Sequence, residues 1–477
     1  MDAAARIATL VDWATSHGAS LHPAVEVYQD PATGFSFRVK PSSDAPLAPW
    51  ERVVSLPTSL SLSYLNAVSA ASSSPSSTAS SPASFPSDFL SKTPPHVVGR
   101  LFLAKQYLLG EGSFWWPYIQ ALPQPHDVDD WTLPPFWPAD DAELLEGTNV
   151  EVGLEKIRAD VRKEYNDASE LLKLHGSERD KAISMQLYQW AYCIFSSRSF
   201  RPSLVLADKD QQNLPQGVRI DDFSVLLPVF DIGNHDMTAD VRWDLQVDGP
   251  SCCELRVGRE FGPGQQVYNN YSMKTNAELL LGYGFMIPES DGLHNDYTHV
   301  RKRTSTPNKA SEEYYISRRP MDHPSSTLGR YRQELTVDLP QGKHMVGAFR
   351  HVQPDMVWDI FCTLTPPNER ARILPISSTP TGSDEGDEEK KRQQKFFSGD
   401  VEEGSEAHAA LEHTMAIIQH KVMQELERLE ETDVEVPPGA EEALTRNQRL
   451  ALEYRQRCRT VLENTLESMG VEGEEYV

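Results

Sequence analysis

Val225-Leu226-Leu227-Pro228-Val229-Phe230 runs directly into Asp231-Ile232-Gly233-Asn234-His235. Downstream the chain reads Tyr271-Ser272-Met273-Lys274-Thr275-Asn276-Ala277-Glu278, then Leu279-Leu280-Leu281-Gly282-Tyr283-Gly284-Phe285. An unbroken apolar run is the pattern of a buried strand. This one stops at adjacent polar side chains, and two tyrosines follow inside apolar sequence. A phenol, an imidazole and a carboxamide each cost roughly 1–3 kcal/mol if buried without partners. Their clustering therefore predicts a built site, although two core tyrosines with satisfied hydroxyls would leave a similar trace.

Working outward, the same kind of sequence recurs at Gly112-Ser113-Phe114-Trp115-Trp116-Pro117-Tyr118, at Leu122-Pro123, and at Ser197-Arg198-Ser199-Phe200 after an aromatic helix. Taken with Asp231–His235, a Gly-rich hairpin ending in Tyr271, and Tyr283-Gly284-Phe285, these stretches resemble the signatures of SET-domain protein-lysine methyltransferases. The likeness is to the subclass similar to Rubisco large-subunit methyltransferase and spans most of residues 8–290. It implies an α+β fold: a SET β-fold with a threaded pseudoknot, a helical insertion within it, and a mainly helical C-terminal domain. The expected organisation is an N-terminal part of the SET domain over 1–66 and a helical insert over 97–203. The C-terminal part of the SET domain, with the active site, covers 204–290, and a substrate-binding-like helical domain covers 291–477. Composition adds a flexible Ser/Ala/Pro-rich insertion at 67–96 and a mobile acidic loop at 378–404.

Charge narrows the partners. Among 477 residues, 45 Lys and Arg face 70 Asp and Glu, a net charge of −25. Nucleic-acid binding depends on clustered cations, so this balance argues against it. A basic protein partner, such as a ribosomal protein, suits the acidity through steering, and so does solubility alone. The five cysteines, Cys193, Cys252, Cys253, Cys362 and Cys458, form no C-x-x-C pair, so no zinc site or disulfide framework is expected. No apolar run reaches the roughly 18 residues that span a bilayer. Met1–Gly18 is amphipathic rather than signal-like. The expectation is an intracellular monomer, cytoplasmic or nuclear or both.

Along the chain, residues 5–17 read as a helix, and Val25–Tyr28 with Phe35–Val39 as strands around Asp30-Pro31-Ala32-Thr33-Gly34. Residues 219–247 give strands, including the opening apolar run, and 252–269 a hairpin turning at Gly262-Pro263-Gly264. Residues 341–364 read as a helix interrupted near Pro354. Leu411, Met415, Ile418, Val422, Leu426 and Leu429 recur at helical spacing, as do Tyr454, Cys458, Val461, Thr465 and Met469, predicting two long amphipathic helices.

The resemblance assigns roles. Tyr283 and Tyr271 would be the catalytic tyrosines, lining a dry tunnel with Phe285 as a wall. Gly34, Phe35, Ser36, Arg198, Asn234, His235 and Tyr283 would contact S-adenosyl-L-methionine, and Arg198, Asp231, Tyr271 and Phe285 the substrate. Ser36 stands where the family's hairpin carries the second glycine of Gly-x-Gly. Arg198 also suits a cation at a helix C-terminus. His235 has no partner at ligand spacing and reads poorly as a base or a metal ligand; the remaining choice is cofactor contact or core. The implied reaction is methylation of a lysine in a non-histone protein. Its rivals are a catalytically idle module that keeps the SET scaffold for recognition, and transfer to histidine instead.

Overall fold

The computed structural model describes residues 2–470 except 73–84, 129–130, 212–213, 302–312, 333–334, 344 and 377–384. The chain divides into two compact units. One comprises Met1–Phe136 and Lys156–Ser272, the other Trp137–Glu155 and Met273–Val477.

The first unit is built on short antiparallel strands. In chain order they are β1 (Ser20–Leu21), β2 (Val25–Asp30), β3 (Gly34–Val39), β4 (Arg52–Pro57), β5 (Leu62–Ser63), β6 (Ser199–Phe200), β7 (Val225–Leu226), β8 (Val241–Gln246), β9 (Cys252–Val257) and β10 (Gln266–Val267). They form three sheets, ordered β1-β4-β9-β8, β10-β3-β2 and β5-β7-β6. The β2–β3 hairpin pairs Val25 with Val39 through to Asp30 with Gly34. Its turn is held by the Asp30 carboxylate, which accepts from the Ala32 and Thr33 amides at 2.9 Å each, the short side-chain closure that suits Asp to turns. Helix Ala3–Ser16 is capped by Asp2, which accepts from the Ala5 amide at 2.7 Å. Its Leu10 and Ala14 join a core that includes Phe37, Val54, Leu56, Tyr118, Trp190 and Phe230.

Three expectations change here. The opening apolar run is buried throughout, but only Val225–Leu226 is strand. Pro228 has no N–H to give a ladder, and the chain turns through Val229 into a 3-10 turn at Phe230–Ile232. Residues 252–269 are not a hairpin: β9 pairs with β4 and β8, whereas β10 pairs with β3 in another sheet. The switch begins at Gly258, where a Cβ would stand 2.7 Å from Asp240 Cβ and 2.8 Å from the Trp50 ring. The Ser/Ala/Pro-rich stretch is bounded by helices Tyr64–Ser72 and Ser87–Lys92. Phe85 and Phe89, both buried with rings 5.1 Å apart, anchor its far end, while 73–84 lie outside the described residues.

The second unit pairs β11 (Tyr297–Arg301) with β12 (Glu313–Ser317) and is otherwise mostly helical. Both long amphipathic helices are present, at Glu406–Glu431 and Arg446–Ser468, and Ile418, Val422, Leu429, Tyr454, Val461 and Thr465 are buried. Pro354 opens a helix, Pro354–Leu364, instead of interrupting one, as its missing N–H allows in the first turn. Within the acidic segment, Glu385–Phe397 is helical because Phe396 and Phe397 are fully buried, and Glu389 pairs with Arg370 at 2.8 Å; residues 377–384 are not described. Arg455, 3% exposed, donates through Nη1 to the carbonyls of Leu144 and Glu146 and through Nη2 to that of Leu429 at 2.7 Å. The strip 137–155 is thereby tied to both long helices, an arrangement reinforced by Tyr454 donating to Asn149 at 2.7 Å.

Candidate active site

Three separate segments meet in the first unit. Asn234 donates its backbone N–H to Ser36 Oγ at 3.4 Å, and its carboxamide donates to Thr33 Oγ1 at 2.9 Å and Gln266 Oε1 at 3.0 Å. Its carbonyl accepts from the Asn269 amide at 2.7 Å, and Asn269 returns its own carbonyl to the Asp236 amide at 2.9 Å. His235 and Asn269 thus form a parallel bridge, so the 233–236 segment lies along 269–271 with β3 on its other side.

Ser36 is fully buried, and its hydroxyl serves Asn234. Its φ is not positive, unlike that of Gly34 at +80°. A glycine at 36 is therefore not demanded by backbone conformation, and the serine fits without strain.

His235 stacks on Tyr271, centroids 5.0 Å apart and planes 12° from parallel. Its Nδ1 accepts from the Tyr271 backbone N–H at 3.0 Å. An accepting Nδ1 places the ring proton of the neutral imidazole on Nε2. The Tyr271 hydroxyl donates to the Gly233 carbonyl at 2.8 Å, so its lone pairs face away from that bond. Ser272, immediately after, has φ +83°.

Arg198 ends helix Met185–Arg198, whose N-terminus is capped by Ser184. It is more than a terminal cation. Its Nη1 stands 3.3 Å from Asp231 Oδ2, and the Tyr118 hydroxyl donates to that same oxygen at 2.9 Å. Burial alone would lower the guanidinium, but Asp231, Tyr118 and Tyr271 together hold it above its ordinary value. Burial pushes the Asp231 carboxyl up against the pull of Arg198 and Tyr118. The reason is visible: Oδ1 is buried with no hydrogen-bond partner among the described residues, so one oxygen lacks the compensation the other receives. Asp231 is delivered by Val229, a β-branched residue at φ +70° and ψ −45°, a conformation that such residues adopt only when the surroundings impose it.

Tyr283 and Phe285 belong to the second unit. Tyr283 closes helix Asn276–Tyr283, which starts with a Thr275/Glu278 capping box. Its ring meets Phe285 edge-on, centroids 6.3 Å apart, and the Lys274 ammonium lies 5.8 Å from its centroid. Burial, and then Glu278, raise its phenol above the ordinary value.

The structure therefore brings Gly34–Ser36, Asn234, His235 and Tyr271 to one seam, with Asp231 and Arg198 beside it. Sequence reasoning quotes Tyr118 within an aromatic motif yet assigns it no role. Thr33, Gln266 and Asn269 are likewise given no role there. Asn269 is fully buried, and its Oδ1 accepts from Trp243 Nε1 at 3.0 Å. The adjacent carboxamides Asn269-Asn270, set just before Tyr271, were the available signal. Among the described residues no three His, Cys, Asp or Glu side chains converge as metal ligands.

No family model matches the chain. It is 28% identical over 307 residues to the ribosomal lysine N-methyltransferase set10 of Schizosaccharomyces pombe, covering 62% of this chain and 50% of that protein. It is 27% identical over 212 residues to the protein-lysine N-methyltransferase EFM1 of Saccharomyces cerevisiae, covering 36% and 33%. With the human N-lysine methyltransferase SETD6 the figures are 26% over 190 residues, 39% and 37%. The matches thus span half or less of each relative's own length. A crystal structure of the SET domain of LSMT bound to lysine and AdoHcy superposes with a TM-score of 0.61 at 14% identity, covering 98% of this chain and 91% of that one. A structure of Rubisco LSMT bound to AdoMet superposes with a TM-score of 0.57. Short antiparallel sheets carrying an Asn-His segment against a Tyr-bearing one, with a helical region following, give this chain the SET-domain fold seen in Rubisco LSMT.

Proposed function

We propose that this protein transfers a methyl group from S-adenosyl-L-methionine to a lysine side chain of a non-histone protein. The observation that carries the reading is the seam of Ser36, Asn234, His235 and Tyr271, held together by hydrogen bonds to the backbone of 233–234 and 271. Relatives named as lysine methyltransferases support it.

The residues fit the methyl donor. Arg198 spends Nη1 on Asp231, and among the described residues no other hydrogen bond of its guanidinium is seen, so its further N–H groups suit a carboxylate, while Gly34 has open space on its Cβ side. When bound, the donor supplies a methyl group already activated by a sulfonium charge. Positioning is then the main task of the protein, and can lower the barrier by roughly 7–11 kcal/mol. The target amine has to be neutral, which from pKa ~10.4 costs about 4.6 kcal/mol at pH 7. A dry passage and a nearby positive charge both disfavour the ammonium.

Tyr271, its own proton committed to Gly233, accepts an N–H of the amine and aims the nitrogen lone pair. Tyr283, raised above its ordinary value by burial, stays a neutral phenol and orients without acting as a base. His235 cannot take a proton at Nδ1 while that atom accepts from Tyr271. The proton that the amine sheds goes to water, since the Tyr271 hydroxyl is committed to Gly233 and His235 Nδ1 to the Tyr271 N–H.

The acceptor is a protein, and the net charge of −25 favours a basic one, met by a monomer in the cytoplasm or nucleus. Among the described residues no helix is long and apolar enough to cross a membrane. The test is incubation with methyl-labelled donor and an extract of cells lacking this protein, followed by mass spectrometry of the labelled band. Label on lysine supports the reading. Donor binding measured by calorimetry with no label in any extract overturns it in favour of an idle module. Label on histidine moves the acceptor, an outcome made worth scoring by 25% identity over 178 residues to the actin-histidine N-methyltransferase of Canis lupus familiaris.

A further inference from the structure

The first unit holds a half-open cavity of about 240 Å³ that the methyl-transfer seam does not use. Its lining includes His96, Gly99 and Arg100 of helix Pro95–Leu109, Tyr192 and Phe195 of helix Met185–Arg198, and Ser199 and Ser224. Spacings of three and four put His96, Gly99 and Arg100 on one face of their helix. Arg198 turns to Asp231, whereas its neighbour Ser199 faces this cavity.

Arg100 is bonded on one side only. Its Nη1 donates to the Glu164 carboxylate and stands 3.5 Å from the Tyr188 hydroxyl, while its Cζ lies 4.7 Å from the Tyr192 ring centroid. Nε and Nη2 form the other edge of the planar fork. Among the described residues they make no hydrogen bond, and they are open to solvent rather than sealed. The Ser199 and Ser224 hydroxyls are likewise unbonded and open. β6 and β7 pair Ser199 with Leu226 and Phe200 with Val225, so Ser224 falls on the same face as Ser199, one diagonal step away. Behind Arg100, Glu164 also accepts from the Tyr188 hydroxyl at 2.8 Å and from His96 Nε2 at 3.1 Å. Burial raises the Glu164 carboxyl, but His96, Arg100 and Tyr188 hold it down at about 2, so it stays charged.

The described lining carries no carboxylate. Glu164 offsets one cation, so with His96 protonated there is balance for one further negative charge and not for two. A planar carboxylate also matches a guanidinium edge through two parallel bonds. The 240 Å³ far exceeds the roughly 30 Å³ of one water, so a molecule rather than a lone ion fits, and the open hydroxyls suit a polar substituent on it. We infer that this cavity binds a small free hydroxycarboxylate, its carboxylate on Nε and Nη2 of Arg100, its hydroxyl between Ser199 and Ser224, and its short carbon chain against Phe195 and Gly99. The inference stands apart from methyl transfer, since neither donor nor lysine enters it.

Saturation-transfer NMR on the full chain tests it with racemic lactate, propanoate (no hydroxyl), lactamide (no charge), inorganic phosphate and N-acetyl-aspartate methylamide. Lactate is expected to bind with a Kd of about 1 mM. Loss of the hydroxyl is expected to weaken binding about fivefold, and loss of the charge about tenfold or more. Ser199→Ala combined with Ser224→Ala is expected to abolish the preference for lactate over propanoate, with propanoate binding and melting temperature unchanged. Arg100→Lys, which keeps a cation beside Glu164 and loses the two-bond edge, is expected to weaken both acids about tenfold. Tighter binding of phosphate or of the capped aspartate overturns the assignment, as does displacement of lactate by the demethylated donor product, which would move the acid to Arg198. No transfer at about 10 mM, or a lactate preference that survives the serine substitutions, overturns it too.

Discussion

Tyr118→Phe tests the least visible part of the site. The hydroxyl donates at 2.9 Å to an oxygen of Asp231, whose other oxygen has no partner among the described residues. Tyr118 is 1% exposed, so water cannot replace the lost donor, and the phenyl ring keeps the packing. Hydrogen bonds to charged groups contribute about 1.5–3 kcal/mol, and the expected loss of stability is about 2 kcal/mol, near the middle of that range. For a unit of this size that lowers the melting temperature by about 4–8 °C, at 2–4 °C per kcal/mol. Urea unfolding of a double-mutant cycle isolates the pair. In an Asp231→Asn background the bond becomes neutral, and the same Tyr→Phe change should cost only about 0.5–1 kcal/mol. A wild-type cost below about 0.5 kcal/mol, or equal costs in both backgrounds, would show that Tyr118 does not support a charged Asp231.

Tyr283→Phe is expected to cut methyl transfer by about a hundredfold through lost orientation, with binding of the demethylated donor product unchanged by calorimetry; a proportionate loss of binding contradicts the assigned role. At saturating donor, the rate should rise about tenfold per pH unit from pH 7 toward 9, because the neutral fraction of a lysine with pKa ~10.4 rises that way; a flat profile removes amine deprotonation from the barrier. His294 is fully buried, and burial followed by Arg319 lowers its ring to about 3, against ~6.5 when unfolded. The unfolded chain binds more protons between those values, so this contribution is whole above pH 6.5 and drains as pH falls toward 3. The urea midpoint should therefore drop less between pH 7 and 5 in His294→Gln than in wild type; an equal drop refutes it.

What could be read from the sequence followed the range of each interaction. The long helices were legible because their apolar spacing is local: Leu411, Ile418, Val422 and Leu429 are buried, and Met415 and Leu426 pack half-buried beside them. The Asp30–Gly34 turn was legible for the same reason. Pairing partners were not, since β9 and β10 flank one Gly-Pro-Gly turn yet join different sheets. Composition also averaged away single anchors: Phe85 and Phe89 order part of a Ser-rich stretch, and Phe396 and Phe397 order part of an acidic one. At the site, Asn234, His235 and Tyr271 were visible through their motifs. The Tyr118–Asp231 bond joins positions 113 residues apart, and no periodicity reports that.

The Arg455 tie constrains how the chain is made. Arg455 completes carbonyls at Leu144 and Glu146, the latter 309 residues earlier. At 5–20 residues per second on the ribosome, Leu144, Leu145, Val150 and Leu154 wait about 15–60 s for the helix that covers them. Nascent chains stalled before Arg446 would keep Ala277, Leu280 and Leu429 against that strip but lack Ala451, Tyr454 and Cys458, leaving its cover incomplete.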